Sequence, residues 1–172
     1  MVRSILDYLK EWDEKYYIMF MIGIYTGRRV TDILKLQVKD VINKDSLLIK
    51  KEIKTGKMSN MDFNAELKRA LKMYCENKPS NNYLIKSRKG GNNPLTRQAA
   101  YQVLDRAAKK FGLDQIGTHT MRKTFGYHLY YEAKKDIVLV MNALGHSSEH
   151  ITLRYIGITG DEVNTIVKKL KF

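Results

Sequence analysis

The stretch Tyr16–Tyr25, YYIMFMIGIY, is the most apolar run in this chain and limits the fold more than any other feature. It is far shorter than the ~20 residues a membrane-spanning helix needs. A run so apolar must nevertheless leave water. It therefore predicts a buried core helix. Ile18, Met21, Ile22 and Tyr25 recur at helical spacing, in a helix over Ile5–Tyr25 with a break near Trp12–Asp13. Gly27 stops it.

A short helix follows, with Val30, Ile33 and Leu34 on one face. The periodicity then changes. Ser46–Ile53 and Met58–Phe63 read as two strands, joined by a turn at Lys54-Thr55-Gly56-Lys57 in which Gly56 takes positive φ. Val38–Ile42 is expected to add a third strand. Beyond this point each run has a capping residue at its start. Asn64 caps a helix through Cys75, with Leu67, Leu71 and Tyr74 inward. Lys86–Pro94, KSRKGGNNP, is a loop. Thr96 caps a helix to about Lys110, with Gly112 just past its end. Thr118 starts a helix through about Glu132, Asp136 caps IVLVMNAL up to Gly145, and Ser148 begins a helix carrying Tyr155. Residues 161–172 form an amphipathic tail with Val163, Ile166, Val167 and Leu170 on one side. The expected class is α+β, mainly helical, with a small antiparallel β-sheet at one edge. At 172 residues the chain is expected to be a single domain, 1–172.

Charge narrows the function. Lys plus Arg number 31 against 18 Asp plus Glu, a net charge of +13. So large an excess of one sign costs self-repulsion in the folded chain and points to a polyanionic partner. The N-terminus lacks the charged, then apolar, then small-residue layout of a signal peptide. Cys75 is the sole cysteine, which excludes an internal disulfide and a cysteine zinc cluster, and a cytosolic compartment is the natural reading.

Five features carry chemistry: TGRRVTDIL with Arg29, KTGK with Lys54, THTMR with His119 and Arg122, LGH with His146, and Tyr155. Taken singly, each is more often a solvated charge or a packed aromatic. Together, in a basic chain, they suit a phosphodiester. Negative charge on the nonbridging oxygens of the transition state matches two arginines, each planar, always charged and able to bind two oxygens. Tyr155 can serve as nucleophile and hold a covalent phosphoryl intermediate. A phenol of pKa ~10 needs its proton accepted, which a histidine beside cations can do. Lys54, at a hairpin tip, can supply a proton to the departing sugar oxygen. No metal or other cofactor is implied, since His119, His128, His146 and His150 lack H-E-x-x-H or carboxylate partners at ligand spacing.

These boxes resemble the catalytic domain of the tyrosine recombinases, the phage-integrase family, over nearly the whole chain from about Tyr16 to Lys169. T-G-R-R-V-T-D-I-L matches the family's first arginine box and selects Arg29, with Arg28 turned outward or onto DNA. K-T-G-K matches the hairpin lysine Lys54. H-T-M-R matches the H-x-x-R box, and L-G-H-S-S-E-H-I-T-L-R-Y the last box, with His146 and the nucleophile Tyr155. The resemblance implies a tyrosine-recombinase catalytic-domain-like fold and cut-and-rejoin chemistry on double-stranded DNA through a 3′-phosphotyrosyl link. It implies assembly into a tetramer on DNA in a bacterial host, at the nucleoid, with no membrane partner. It implies an N-terminal core-binding domain that this sequence does not include. Its C-terminal segment docks on a neighbouring subunit in trans, a role the tail at 161–172 suits, although that face suits folding back on its own core equally. Softer candidates for DNA contact are Arg28, Lys57, Lys86, Arg88, Lys89, Arg97 and Lys123. Readings from other classes are a DNA-binding module without catalysis, topoisomerase-like strand relaxation and an RNA-binding protein.

Overall fold

A computed structural model describes residues 1–48, 60–113, 116–117 and 119–158. Eight α-helices and one two-stranded antiparallel sheet lie among the described residues. The chain divides into two compact units, Met1–Arg122 and Lys123–Phe172.

In the first unit, α1 (Val2–Trp12) buries Ile5, Leu6 and Leu9, and α2 (Glu14–Thr26) is buried nearly all round, from Tyr16 through Gly23 on most positions. The break between them is Asp13. Its backbone is extended, its N–H donates to the Leu9 carbonyl, and its side chain accepts from the Lys15 N–H at 3.2 Å. One residue thus ends α1 and caps α2. The same carboxylate pairs with the buried Lys15 ammonium at 3.0 Å and with Arg88 at 3.2 Å. Burial pushes the Asp13 carboxyl up, but the hydrogen bonds from Lys15 and Arg88 outweigh it and hold the group below the usual aspartate value. Gly27, at φ 62°, closes α2, and α3 (Val30–Ile33) turns Val30 and Ile33 inward.

The expected strand at Val38–Ile42 is instead a 3-10 turn, Val38–Asp40. The Asp40 carboxylate accepts from the Gln37 N–H at 2.8 Å, and this local bond curls the segment before it can extend. Its edge is still used, since the N–H groups of Val38 and Lys39 donate to the Asn82 and Ser80 carbonyls. Strands β1 (Ser46–Leu48) and β2 (Asn60–Asp62) pair antiparallel, with Leu47 opposite Met61. The turn at Lys54–Lys57 falls outside the described residues.

Helix α4 (Ala65–Cys75) starts at Asn64, whose side chain accepts from the Leu67 N–H, and buries Leu67, Leu71, Tyr74 and Cys75. Helix α5 (Arg97–Lys110), capped by Thr96, buries Ala100, Val103, Leu104, Ala107 and Ala108, an i, i+3, i+4, i+7, i+8 stripe. Helix α6 (Thr120–Glu132) begins in this unit with Met121 at 0% exposure.

The second unit has its own small core of Tyr130, Val140, Leu144 and Ile156, from α6, α7 (Ile137–Leu144) and α8 (Glu149–Ile156). Asp136 caps α7, Ser148 caps α8, and Gly145 and Gly157 end them with positive φ. A Cβ on Gly126 of α6 would stand 2.8 Å from Ile156 Cγ2 and 3.0 Å from Leu144 Cδ1, so α7 and α8 reach α6 only because that position has no side chain. The amphipathic tail at 161–172 lies outside the described residues.

Candidate active site

The arginine box and the H-x-x-R box meet in the first unit. A Cβ on Gly23 would lie 2.7 Å from Met121 Cβ, so the last turn of α2 and the first turn of α6 are in close contact. One residue on, Arg122 is 6% exposed, and its Nη1 donates to the Gly27 carbonyl at 2.6 Å. That carbonyl is at the C-terminal end of α2, where the helix dipole favours a cation. Arg122 is therefore anchored on the backbone two residues before Arg29.

Arg29 itself is exposed. Its extended backbone starts α3, its carbonyl accepting from the N–H groups of Asp32 at 2.9 Å and Ile33 at 3.1 Å. The Arg29 side chain lines a cleft of about 200 Å³ with Val30, Thr31, Arg97 and His119. His119 sits one residue before α6, and Arg97 is the first residue of α5. Two guanidinium groups and an imidazole thus share one cavity beside the start of two helices, whose N–H groups also favour anions. Such a cleft suits a phosphate.

The second unit carries the other two catalytic candidates. His146 follows Gly145, its N–H donating to the Met141 carbonyl at 2.9 Å. Its ring meets the Tyr155 ring edge-on, with centroids 4.9 Å apart and planes at 83°. The nine-residue separation in sequence is closed by the turn into α8, as the spacing predicts. The Lys123 ammonium lies 5.8 Å from the Tyr155 ring centroid, so the phenol has a cation beside it as well as an imidazole.

Other candidates are dispersed. Lys54 and Lys57 fall outside the described residues. Arg28 is half-buried, its N–H donating to Thr26 Oγ1 at 3.4 Å. Lys86 is half-buried in a bridge opposite Pro94, Lys89 is exposed, and Arg88 is tied to Asp13. His128 packs against Tyr127, and His150 is exposed on α8. Thr152, at 0% exposure, was not singled out by sequence reasoning, yet its Oγ1 lies 3.2 Å from His146 Nδ1. The signal available in the sequence is its position three residues before Tyr155, one turn along the same helix face.

The sequence model of the phage integrase family matches residues 1–161. The chain belongs to the phage integrase family. It is 42% identical over 167 residues to a probable integrase/recombinase, YoeC, of Bacillus subtilis, covering 97% of this chain and 91% of that protein. It is 32% identical over 148 residues to the tyrosine recombinase XerD of Corynebacterium glutamicum, covering 82% of this chain and 47% of the relative. The chain therefore spans about half the length of that Xer relative. In fold, it is similar to a XerA recombinase at TM-score 0.74 and 19% identity, over 99% of this chain and 64% of that one. A XerH recombinase in a pre-cleavage complex with its difH substrate is similar at TM-score 0.70 and 22% identity, over 96% of this chain and 51% of that one. Among the described residues the fold is mainly helical with a small antiparallel sheet, as the sequence leads one to expect.

Proposed function

We propose that this integrase-family chain is the strand-cleaving part of a site-specific DNA recombinase, acting on double-stranded DNA. The observation that carries this reading is the cleft where Arg29, His119 and Arg97 converge beside the backbone-anchored Arg122. Arg29 and Arg122 hold the nonbridging oxygens of the scissile phosphate, and His119 adds a donor. Tyr155 Oη attacks phosphorus, forming the phosphotyrosyl ester as the bond to the 5′ oxygen breaks. The phenolic proton passes to a basic nitrogen, for which His146 is the neighbour in α8's own unit. Lys54, which by sequence stands midway between the paired residues Leu48 and Asn60, protonates the leaving 5′ oxygen. Attack by a 5′-hydroxyl from a partner strand reverses the step, so the bond energy is conserved and no cofactor takes part. Strand exchange needs several copies on DNA, and a tetramer at the nucleoid of the bacterial host, with the segment at 161–172 docked in trans, meets that need. No helix among the described residues is long and apolar enough to cross a membrane.

The test is covalent capture. Incubation with nicked suicide duplexes of randomised sequence is expected to give a protein–DNA adduct stable to detergent. Tyr155→Phe is expected to give none. An adduct that persists in the Phe variant removes Tyr155 from the role of nucleophile.

A further inference from the structure

The hydroxyl of Thr152 is shared between two partners, and only one of them can receive its proton. Oγ1 lies 2.8 Å from the Ser148 carbonyl, one turn back on α8, and 3.2 Å from His146 Nδ1. A carbonyl oxygen has no hydrogen to give, so the threonine O–H donates to Ser148. A hydroxyl has one hydrogen and two lone pairs. Its contact with Nδ1 is therefore a hydrogen bond only if Nδ1 carries the proton. The opposite tautomer would set the Nδ1 lone pair against the oxygen's own lone pairs, in a site where Thr152 is wholly buried and water cannot intervene.

We propose that Thr152 is a positioning residue for the strand-cleavage reaction, holding His146 as the Nδ1–H tautomer so that Nε2 is the basic nitrogen of the ring. The proposal rests on the reading of Tyr155 and His146 given above. It explains why the residue between them is a threonine. Serine and threonine hydroxyls in helices commonly return to the carbonyl four residues back, and here that bond consumes the donor and leaves Oγ1 as an acceptor. The ring orientation follows from the same contact. With its Nδ1 edge fixed on α8 and its backbone N–H fixed on Met141, His146 keeps its edge-on approach to Tyr155. Protonation of Nε2 leaves the Nδ1–H bond in place, so the ring can gain and lose a proton without turning.

The test uses the full chain, with Thr152→Val and Thr152→Ser. Val keeps the shape of the side chain and removes the oxygen, and Ser keeps the oxygen. Long-range ¹H–¹⁵N correlations of the imidazoles, assigned with a His146→Gln control, report the tautomer without reference to activity. The wild-type and Ser proteins are expected to show His146 protonated at Nδ1, and the Val variant to lose that preference. The rate of adduct formation is expected to fall roughly tenfold in Val, the size of one neutral hydrogen bond, and to recover in Ser. A wild-type His146 protonated at Nε2, or a Val variant with unchanged tautomer and rate, overturns the proposal. If the wild type forms no adduct but shows the Nδ1–H tautomer, and Val loses it, the tautomer assignment stands and the strand-cleavage reading falls. Should Val fail to fold, Thr152→Ala is read in the same two assays.

Discussion

Arg29 and Arg122, the two arginines proposed to hold the scissile phosphate, differ in what else they hold. The Arg122 guanidinium is buried and satisfies the Gly27 carbonyl at the end of α2. Arg122→Ala leaves that acceptor without its charged donor and opens space in the core, so it is expected to cost about 1–3 kcal/mol of stability besides abolishing adduct formation. Arg29 is exposed, and only its backbone starts α3. Arg29→Ala is expected to abolish adduct formation while moving the melting temperature by less than the Arg122 variant does. Thermal melts beside the covalent-capture assay check the pair. Equal melting temperatures would mean that the Gly27 contact carries no stability.

Asp13 makes the stability of the fold depend on pH. Its folded pKa lies below its unfolded value, through the Lys15 and Arg88 hydrogen bonds acting against burial. Its contribution is therefore complete above the unfolded value near 3.8 and is lost as pH falls through the folded value. Asp13→Asn is expected to destabilise the chain at neutral pH, where it leaves the buried Lys15 ammonium without its carboxylate, and the gap to wild type is expected to narrow below about pH 4. Denaturant melts across pH 2–7 check it, and a gap independent of pH would show that capping, not charge, is Asp13's contribution.

At the scale of elements, the sequence was most readable where a cap, a periodic stripe and a stop agreed. Asn64, Thr96, Asp136 and Ser148 each start the helix expected of them, and Gly27 and Gly145 end theirs. The 3-10 turn at Val38 is not legible in the sequence because the β-branched Val38, Val41 and Ile42 suit a strand, and the deciding bond, from the Gln37 N–H to the Asp40 carboxylate, is a side-chain event. The site was readable as residue types, whereas the reason its helices approach was not. Gly23 and Gly126 look like weak helix positions, and their purpose lies in contacts remote in sequence. Gly23→Ala drives a methyl to 2.7 Å from Met121 Cβ, which the end of a flexible side chain cannot relieve. The expected cost is about 1–3 kcal/mol. Combined with Met121→Ala, that cost is expected to shrink, giving a coupling energy of about 1 kcal/mol or more in a double-mutant cycle. Additive losses would show that the two turns do not press on each other.

For the whole molecule, a net charge of +13 makes attraction to DNA certain in sign but says nothing of which cations meet phosphates. The structure separates two that the sequence treats alike. Arg97 shares the cleft with Arg29 and His119, where it can meet a phosphate. Arg88 is held by Asp13, so recruiting Arg88 to DNA would first break that exposed ion pair, while the Lys15 pair and the cap of α2 stay in place. Duplex affinity measured over a salt series distinguishes them, because each phosphate contact contributes about 0.9 to the slope of log K against log salt. Arg97→Ala is expected to lower that slope by about 1, and Arg88→Ala to leave it unchanged while weakening the fold slightly, as exposed ion pairs do. The reverse pattern would move the DNA path away from the Arg29 cleft and toward the loop at Lys86–Pro94, and the assignment of the cleft to the scissile phosphate would go with it.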